Sequence, residues 1–331
     1  MTTKPSLTIK PSGGNQDDTA RIQKLIDNST GEIVFEAGTF MLTRPLRLKS
    51  ARSYRGERSW DMRYGSVLMQ QTPGEAIFIL DDVVDSVTIT GLTFTGKKGT
   101  AVKGIVAANA KGLLANSTLR DNHFYTELTE CINVPMVLTR LERNQFGLHG
   151  NAIHEKHQHI RSVYSGDVVG TNANWLVGNQ FSSARGGESV LFEQGAQLHI
   201  TGNQFEGNEA STTLRINGMF QVVIEGNYFE RNAGLAMMEF ANGLNNQLGN
   251  WIVRLENNFY NMAGNGTPTK FIFLASGATA VYMGYEAGTA FAPDAELTSA
   301  ELFNACYLRV RGPFRFNGYL GAQAGGMAGC Q

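Results

Sequence analysis

Charge is scarce in this sequence. Only 17% of its 331 residues are Asp, Glu, Lys or Arg, and the net charge is −1. No basic excess points to nucleic acid, and no polybasic segment points to a membrane surface. Cysteine is limited to Cys131, Cys306 and Cys330, an odd, scattered set with neither a disulfide framework nor metal-ligand spacing. Proline is held to 8 residues, as inner strands that need every backbone donor require. Met1 to Lys10 reads without an apolar signal region. The most apolar stretch, Phe271 to Tyr285, is broken by Ser276, Gly277 and Thr279, which excludes a helical membrane span. These absences predict synthesis in a reducing cytoplasm. They leave the place of work open, because cell lysis releases such a protein.

A repeat is present. Leu198-His199-Ile200-Thr201-Gly202-Asn203-Gln204-Phe205 matches Val222-Val223-Ile224-Glu225-Gly226-Asn227-Tyr228-Phe229 at a spacing of 24. The same Asn-x-Phe signature occurs at Asn122/Phe124, Asn144/Phe146, Asn179/Phe181 and Asn257/Phe259, with Phe94 as a degenerate first copy. Successive Phe spacings are 30, 22, 35, 24, 24 and 30. A period in this range with variable gaps means stacked coils, one per repeat. Alternating apolar residues precede each Asn (Leu198/Ile200, Val222/Ile224), and a second alternating run follows each Phe (Val190/Phe192, Leu214/Ile216, Met238/Phe240). Period two means strands with these residues inward. Gly178, Gly202 and Gly226 before the Asn mark turns. Stacking predicts an Asn ladder serving buried turn backbone, and an internal Phe ladder. A leucine-rich horseshoe fits part of the string. The strand-like second half of each coil and the variable coil length count against it.

The chain divides into an N-terminal extension and helix (1–30), the coils (31–290) and a C-terminal cap or oligomerisation segment (291–331). Asp17-Asp18-Thr19 offers N-cap residues, and Ile22, Leu25 and Ile26 follow at helical spacing. This helix is expected to cover the exposed first coil. Leu297 to Asn304 reads as a short helix, and Cys306 to Phe316 as strand.

Asp17-Asp18-Thr19, the short helix, a strand, Ala37-Gly38-Thr39-Phe40 and Arg55-Gly56-Glu57 together resemble the opening module of pectate-lyase-like proteins. Ser12-Gly13-Gly14-Asn15-Gln16 stands where that family usually has Gly-Asp-Gly. The resemblance covers residues 12 to 80 by motif and the coils by pattern. It implies an all-β, single-stranded, right-handed parallel β-helix with a β-rich C-terminal cap, of the phage tailspike or polysaccharide depolymerase type. It further implies a homotrimer, a virion-associated or lysis-released protein, and no cofactor. The function expected is recognition and cleavage of a bacterial surface polysaccharide, by hydrolysis or β-elimination. The alternative is a non-catalytic glycan-binding or structural β-helix.

Candidate residues follow from aligning the coils. The strand after each Phe presents Ser189/Leu191/Glu193, Thr213/Arg215/Asn217 and Met237/Glu239/Ala241 outward. Glu193, Arg215 and Glu239 are therefore expected to share one exposed face. In the resembled family this face commonly carries the catalytic groove. A carboxylate pair suits glycoside hydrolysis, and Arg215 suits a uronate clamp. The competing reading is a surface charge ladder. Glu206 and Glu230 form a second stacked pair whose repulsion suits a general acid, unless both fan into solvent. His154, Lys156, His157 and His159 suggest a polar loop lining a sugar groove rather than a metal site. Trp175 and Tyr164 border it, and Arg185 is a further substrate-binding candidate.

Overall fold

The Asn and Phe ladders are both present, and they explain the architecture. The structure is a computed structural model that describes residues 6–59, 64–147, 155–163, 171–234, 236–241 and 252–261. It also describes the backbone of strands Lys270–Leu274, Ala280–Met283, Ala287–Thr289, Tyr307–Val310 and Met327–Gly329. The chain forms two compact units, Met1–Arg161 and Ser162–Gln331. Each is a solenoid of parallel strands.

In the first unit, one strand position runs Ser6–Ile9, Glu32–Phe35, Ser53–Arg55, Thr88–Thr90, Thr118–Arg120 and Arg140–Glu142, each parallel to the next. A second runs Gly38–Leu42, Ser66–Gln70, Leu92–Gly96, His123–Phe124 and Gln145–Phe146. A third runs Leu46–Arg47, Ala76–Leu80, Val102–Ala107, Leu128–Asn133 and residues 158–161. The helix Thr19–Asn28 lies in the chain between the first two strands, with Ile22 and Ile26 fully buried. Asp18 is its N-cap residue, but no side-chain cap bond forms. Its carboxylate instead accepts from the Ser12 hydroxyl and pairs with Arg21. Asp17 accepts from the Thr19 amide at 2.9 Å.

In the second unit the first position comprises Thr171–Val177, residues 198–201, Gln221–Glu225 and Ile252–Glu256. The next comprises Gln180–Ser182, Gln204–Glu206, Tyr228–Glu230 and Phe259–Asn261. The third comprises residues 188–193, Thr212–Met219, Ala236–Ala241 and Lys270–Leu274. Glu188–Thr201 is one strand of 14 residues that serves two positions. Among the described residues the one antiparallel pairing is Tyr307–Val310 with Met327–Gly329. The helix expected at Leu297 to Asn304 lies outside the described residues.

Both ladders have the expected chemistry. Asn203 donates its side-chain amide to the Leu176 carbonyl at 2.9 Å and to Asn227 Oδ1 at 3.0 Å. Its own Oδ1 accepts the Asn179 backbone N–H at 2.9 Å. Asn122 and Asn144 repeat this in the first unit. Phe94, Phe124 and Phe146 stack at 4.6 and 4.8 Å, and Phe181, Phe205 and Phe229 at 4.8 and 4.9 Å. Such burial removes whole rings from water and supplies most of the driving force for closing each coil.

The last repeat is a correction. Asn258, not Asn257, accepts the Asn227 amide, and Tyr260, not Phe259, stacks on Phe229 at 5.2 Å. Asn257 takes the left-handed φ of 56° that Gly178, Gly202 and Gly226 take in the coils before it. Asparagine tolerates that conformation, so the turn residue is Asn257 and the register moves on by one. A one-residue shift reverses every side chain, and Phe259 is 40% exposed.

Candidate functional site

The register on the third strand position of the second unit is the one expected. Leu191 lies opposite Arg215 and Glu193 opposite Asn217; Arg215 in turn lies opposite Glu239. The exposure is different. Ser189, Leu191, Glu193, Thr213, Asn217 and Met237 are all buried, Glu193 to 9% exposure. This corrects the expectation of a surface Glu193. Outward side chains at strand spacing stack and cover one another.

Arg215 organises the charges. One guanidinium nitrogen lies 2.8 Å from Glu188 Oε1, and its Nε lies 3.3 Å from Glu239 Oε1. Glu239 also accepts from the Thr212 hydroxyl at 3.3 Å. Glu188 escaped sequence reasoning because alternation counts it, with Val190 and Phe192, as inward. It is the first residue of its strand, where the turn swings the side chain out. The detectable signal was its acid type directly after Gly186-Gly187, both at positive φ. Asn217 Oδ1 is buried without a hydrogen-bond partner, in register beside Glu193.

Glu206 and Glu230 are opposite one another on the second strand position, as the repeat requires. They neither repel freely nor fan into solvent. Arg231 bridges them, at 2.7 Å to Glu206 and 3.2 Å to Glu230. Gln204 donates to Glu206 at 2.8 Å and the Tyr228 hydroxyl to Glu230 at 2.9 Å. Arg185 forms an isolated parallel bridge with Glu209, and their side chains pair at 3.0 Å. Trp175 is half-buried on the first strand position, its ring stacked over His199 at 6.1 Å. The structure thus brings together Glu188, Arg215 and Glu239, with Glu193 on the same strand as Glu188. It sets the Glu206/Glu230 pair on a different strand position of the coil.

The histidine stretch belongs to the first unit and is not a groove loop where described. His157 and His159 are fully buried. Their rings meet edge to face at 4.9 Å, and His159 lies 5.8 Å from the ladder ring of Phe146. Alternation does not register them as core because their type is polar. The His157 imidazole is held by the Leu128 carbonyl. Lys156 reaches Glu130 at 3.5 Å, and Lys103 reaches the same carboxylate at 3.8 Å. Burial pushes the Glu130 carboxyl up, but the Asn133 hydrogen bond and the two lysine charges outweigh it and hold it below its ordinary value. His154 and Tyr164 lie outside the described residues.

A second polar cluster in the first unit was not anticipated. Arg58 donates to His123 Nε2 at 3.0 Å and pairs with Asp121 at 3.2 Å. Arg143 grips the same Asp121 at 2.9 and 2.8 Å. The Arg143 hydrogen bond, opposed by burial and aided by nearby arginine charge, holds Asp121 below the usual carboxylate range. Burial, with Arg58 adding to it, lowers His123 to about 4.

No protein-family description matches this sequence, and no curated protein matches it. Solved structures do. The tailspike protein of Acinetobacter phage vB_ApiP_P1 aligns with a TM-score of 0.66 at 15% identity, over 96% of this chain and 60% of the tailspike. This chain therefore spans about three fifths of that protein. The Streptococcus pneumoniae surface protein and adhesin PfbA aligns with a TM-score of 0.59 at 13% identity, over 93% of this chain and 89% of the adhesin. A DFA-IIIase from Arthrobacter chlorophenolicus A6, without its lid and in complex with GF2, aligns with a TM-score of 0.53 at 12% identity. It covers 87% of this chain and 90% of that one. At these identities the likeness establishes fold: an all-β parallel β-helix, as the resemblance to pectate-lyase-like proteins implied.

Proposed function

We propose that this chain recognises a bacterial surface polysaccharide and hydrolyses a glycosidic bond in it. The observation that carries the reading is Arg215 held between Glu188 and Glu239, with Glu193 on the adjoining strand. A guanidinium between two carboxylates fixes both in place, which suits a general base that activates water. Glu193, enclosed to 9% exposure, is the carboxyl suited to protonate the leaving oxygen. Glu193 and Glu239 lie two strand spacings and two residues apart, about 12 Å between backbones, so side chains leaning toward one another bring the carboxyls to the separation that leaves room for an attacking water and gives inversion. Elimination fits less well. It needs a free cation for the uronate carboxylate, whereas the charge on Arg215 is already met by two glutamates. The phage tailspike among the structural relatives supports work on a virion; a cell-surface glycan as target and a homotrimer are parts of the proposal. The helix Thr19–Asn28, with Ile22 and Ile26 turned inward, then closes the end of the coil stack.

The test is a screen of host capsules and lipopolysaccharides, read by new reducing ends and by the absorbance of unsaturated uronate. Reducing ends without that absorbance are expected. Glu193→Gln and Glu239→Gln each remove most turnover; loss of turnover only in Glu206→Gln or Glu230→Gln moves the chemistry to that pair. Full activity in both former variants refutes the assignment. Unsaturated product moves the reaction to elimination, and tight binding without product makes the chain a non-catalytic receptor binder.

A further inference from the structure

On the second strand position of the second unit, Tyr228 and Phe259 lie opposite one another, their rings stacked at 5.7 Å and inclined by 12°. Phe259 is outside because of the Asn257 turn, and its ring lies over that of Tyr228 in a nearly parallel, offset stack at the surface. The Tyr228 hydroxyl donates to Glu230 at 2.9 Å and accepts from the Asn261 amide at 3.1 Å. Beside the rings runs the row Glu206, Glu230 and Asn261, with Arg231 across both carboxylates. Arg231 has φ 48°, where Gly207 has 61° in the preceding coil. A non-glycine side chain is strained there, and this one is held at the position that lets it bridge the two carboxylates.

We propose that this face is a second saccharide-binding subsite, apart from the Arg215 cluster, that packs a neutral pyranose ring against the exposed Phe259, which Tyr228 backs in the stack. The proposal rests on the polysaccharide reading above and adds to it a place and a sugar class. Flat, pre-ordered rings present an apolar face without losing rotamer freedom on binding. Glu206 and Glu230 accept hydrogen bonds from ring hydroxyls, and Arg231 donates. Two carboxylates against one guanidinium leave the face net negative, which disfavours uronates and other acidic sugars. A protein partner is a poorer fit. Protein interfaces bury about 800 Å² on each side around an apolar centre. Among the described residues of this unit the other exposed large hydrophobics are Val177 and Phe220, which do not belong to this strand position.

The test is saturation-transfer NMR on the full chain with methyl glucopyranoside, galactopyranoside, mannopyranoside and glucuronide as probes. Transfer to ring C–H protons of at least one neutral glycoside is expected, with little to the glucuronide. Phe259→Ala weakens this binding by about two- to ten-fold, the range for one aromatic contact. Phe259→Trp retains it. Unchanged transfer in Phe259→Ala overturns the proposal, as does equal transfer to the glucuronide. Transfer that survives Phe259→Ala but disappears in Glu239→Gln also overturns it, while leaving the polysaccharide reading intact. Sedimentation of Phe259→Ala gives the remaining outcome: dissociation of an assembly present in the parent assigns the face to contact between copies and overturns the subsite.

Discussion

Replacing Asn203 by alanine tests the ladder at its best-connected rung. The side chain makes four buried contacts. Its Oδ1 accepts the Asn179 backbone N–H at 2.9 Å and the Asn179 amide at 3.0 Å. Its Nδ2 donates to the Leu176 carbonyl at 2.9 Å and to Asn227 Oδ1 at 3.0 Å. Alanine strips a partner from two main-chain groups and two side-chain groups that water does not reach. Each buried group left unpaired costs about 1–3 kcal/mol. Asn227 Oδ1 keeps its bond from the Asn203 backbone at 2.9 Å, so the two main-chain groups dominate, for a total of about 2–6 kcal/mol. Asn203→Asp separates geometry from chemistry. Aspartate still accepts from Asn179 but turns an acceptor toward the Leu176 carbonyl and Asn227 Oδ1. It is therefore expected to destabilise more than alanine at neutral pH and less as acid protonates it. The assay is hydrogen exchange at the Asn179 amide together with urea unfolding. A loss of 2 kcal/mol speeds exchange roughly 30-fold where it opens by unfolding. If Asn203→Ala keeps the parent's midpoint and the Asn179 amide keeps its protection, the ladder does not carry stability.

Two further predictions concern the first unit. Aspartate at both Ile22 and Leu25 puts charge at one fully buried and one half-buried position of the helix and is expected to expose the first coil and cause association. A monodisperse, unchanged variant in light scattering refutes the capping role. His123, lowered from 6.5 to about 4, is neutral in the fold and protonates more readily in the unfolded chain. Its contribution, about 3 kcal/mol at most, is complete above pH 6.5 and is lost as pH falls toward 4. His123→Gln keeps an acceptor for Arg58 and removes this part of the pH dependence. An identical stability slope between those pH values in both proteins refutes it.

The repeat made the coil order, the Phe ladder and the register of Leu191 with Arg215 legible, because period-two alternation and the turn glycines are local signals. Errors arose where one residue type substitutes for another in the same conformation. Asn257 does the work of Gly226, so the Asn-x-Phe string matched one residue early. Asn208 and Asn232 form a second ladder at the other turn, Asn208 bonding Asn232 Oδ1 and the Phe181 carbonyl. Their common place three residues after Phe205 and Phe229 was available in the sequence. Burial was the least legible property. Alternation says which way Glu193 points, but whether water reaches it depends on the stacked columns around it. Residues at strand ends, such as Glu188 and Thr212, leave the alternation altogether.

The second unit's ladders have a consequence for ancestry. The bonds from Asn179 to Asn203, from Asn203 to Asn227 and from Asn208 to Asn232 all span 24 positions. Each rung presents upward the donors that the rung below it presents to it. A tandem copy of residues 202–225 would meet, above and below, side chains that its parent already meets. Length is then a quantity that gene duplication can change without inventing a new junction, and a coil added between binding faces on neighbouring rungs lengthens the reach along a polymer by one strand spacing, about 4.8 Å. Such a scaffold can be matched to the repeat of its target by counting rungs, with the chemistry of each rung left alone.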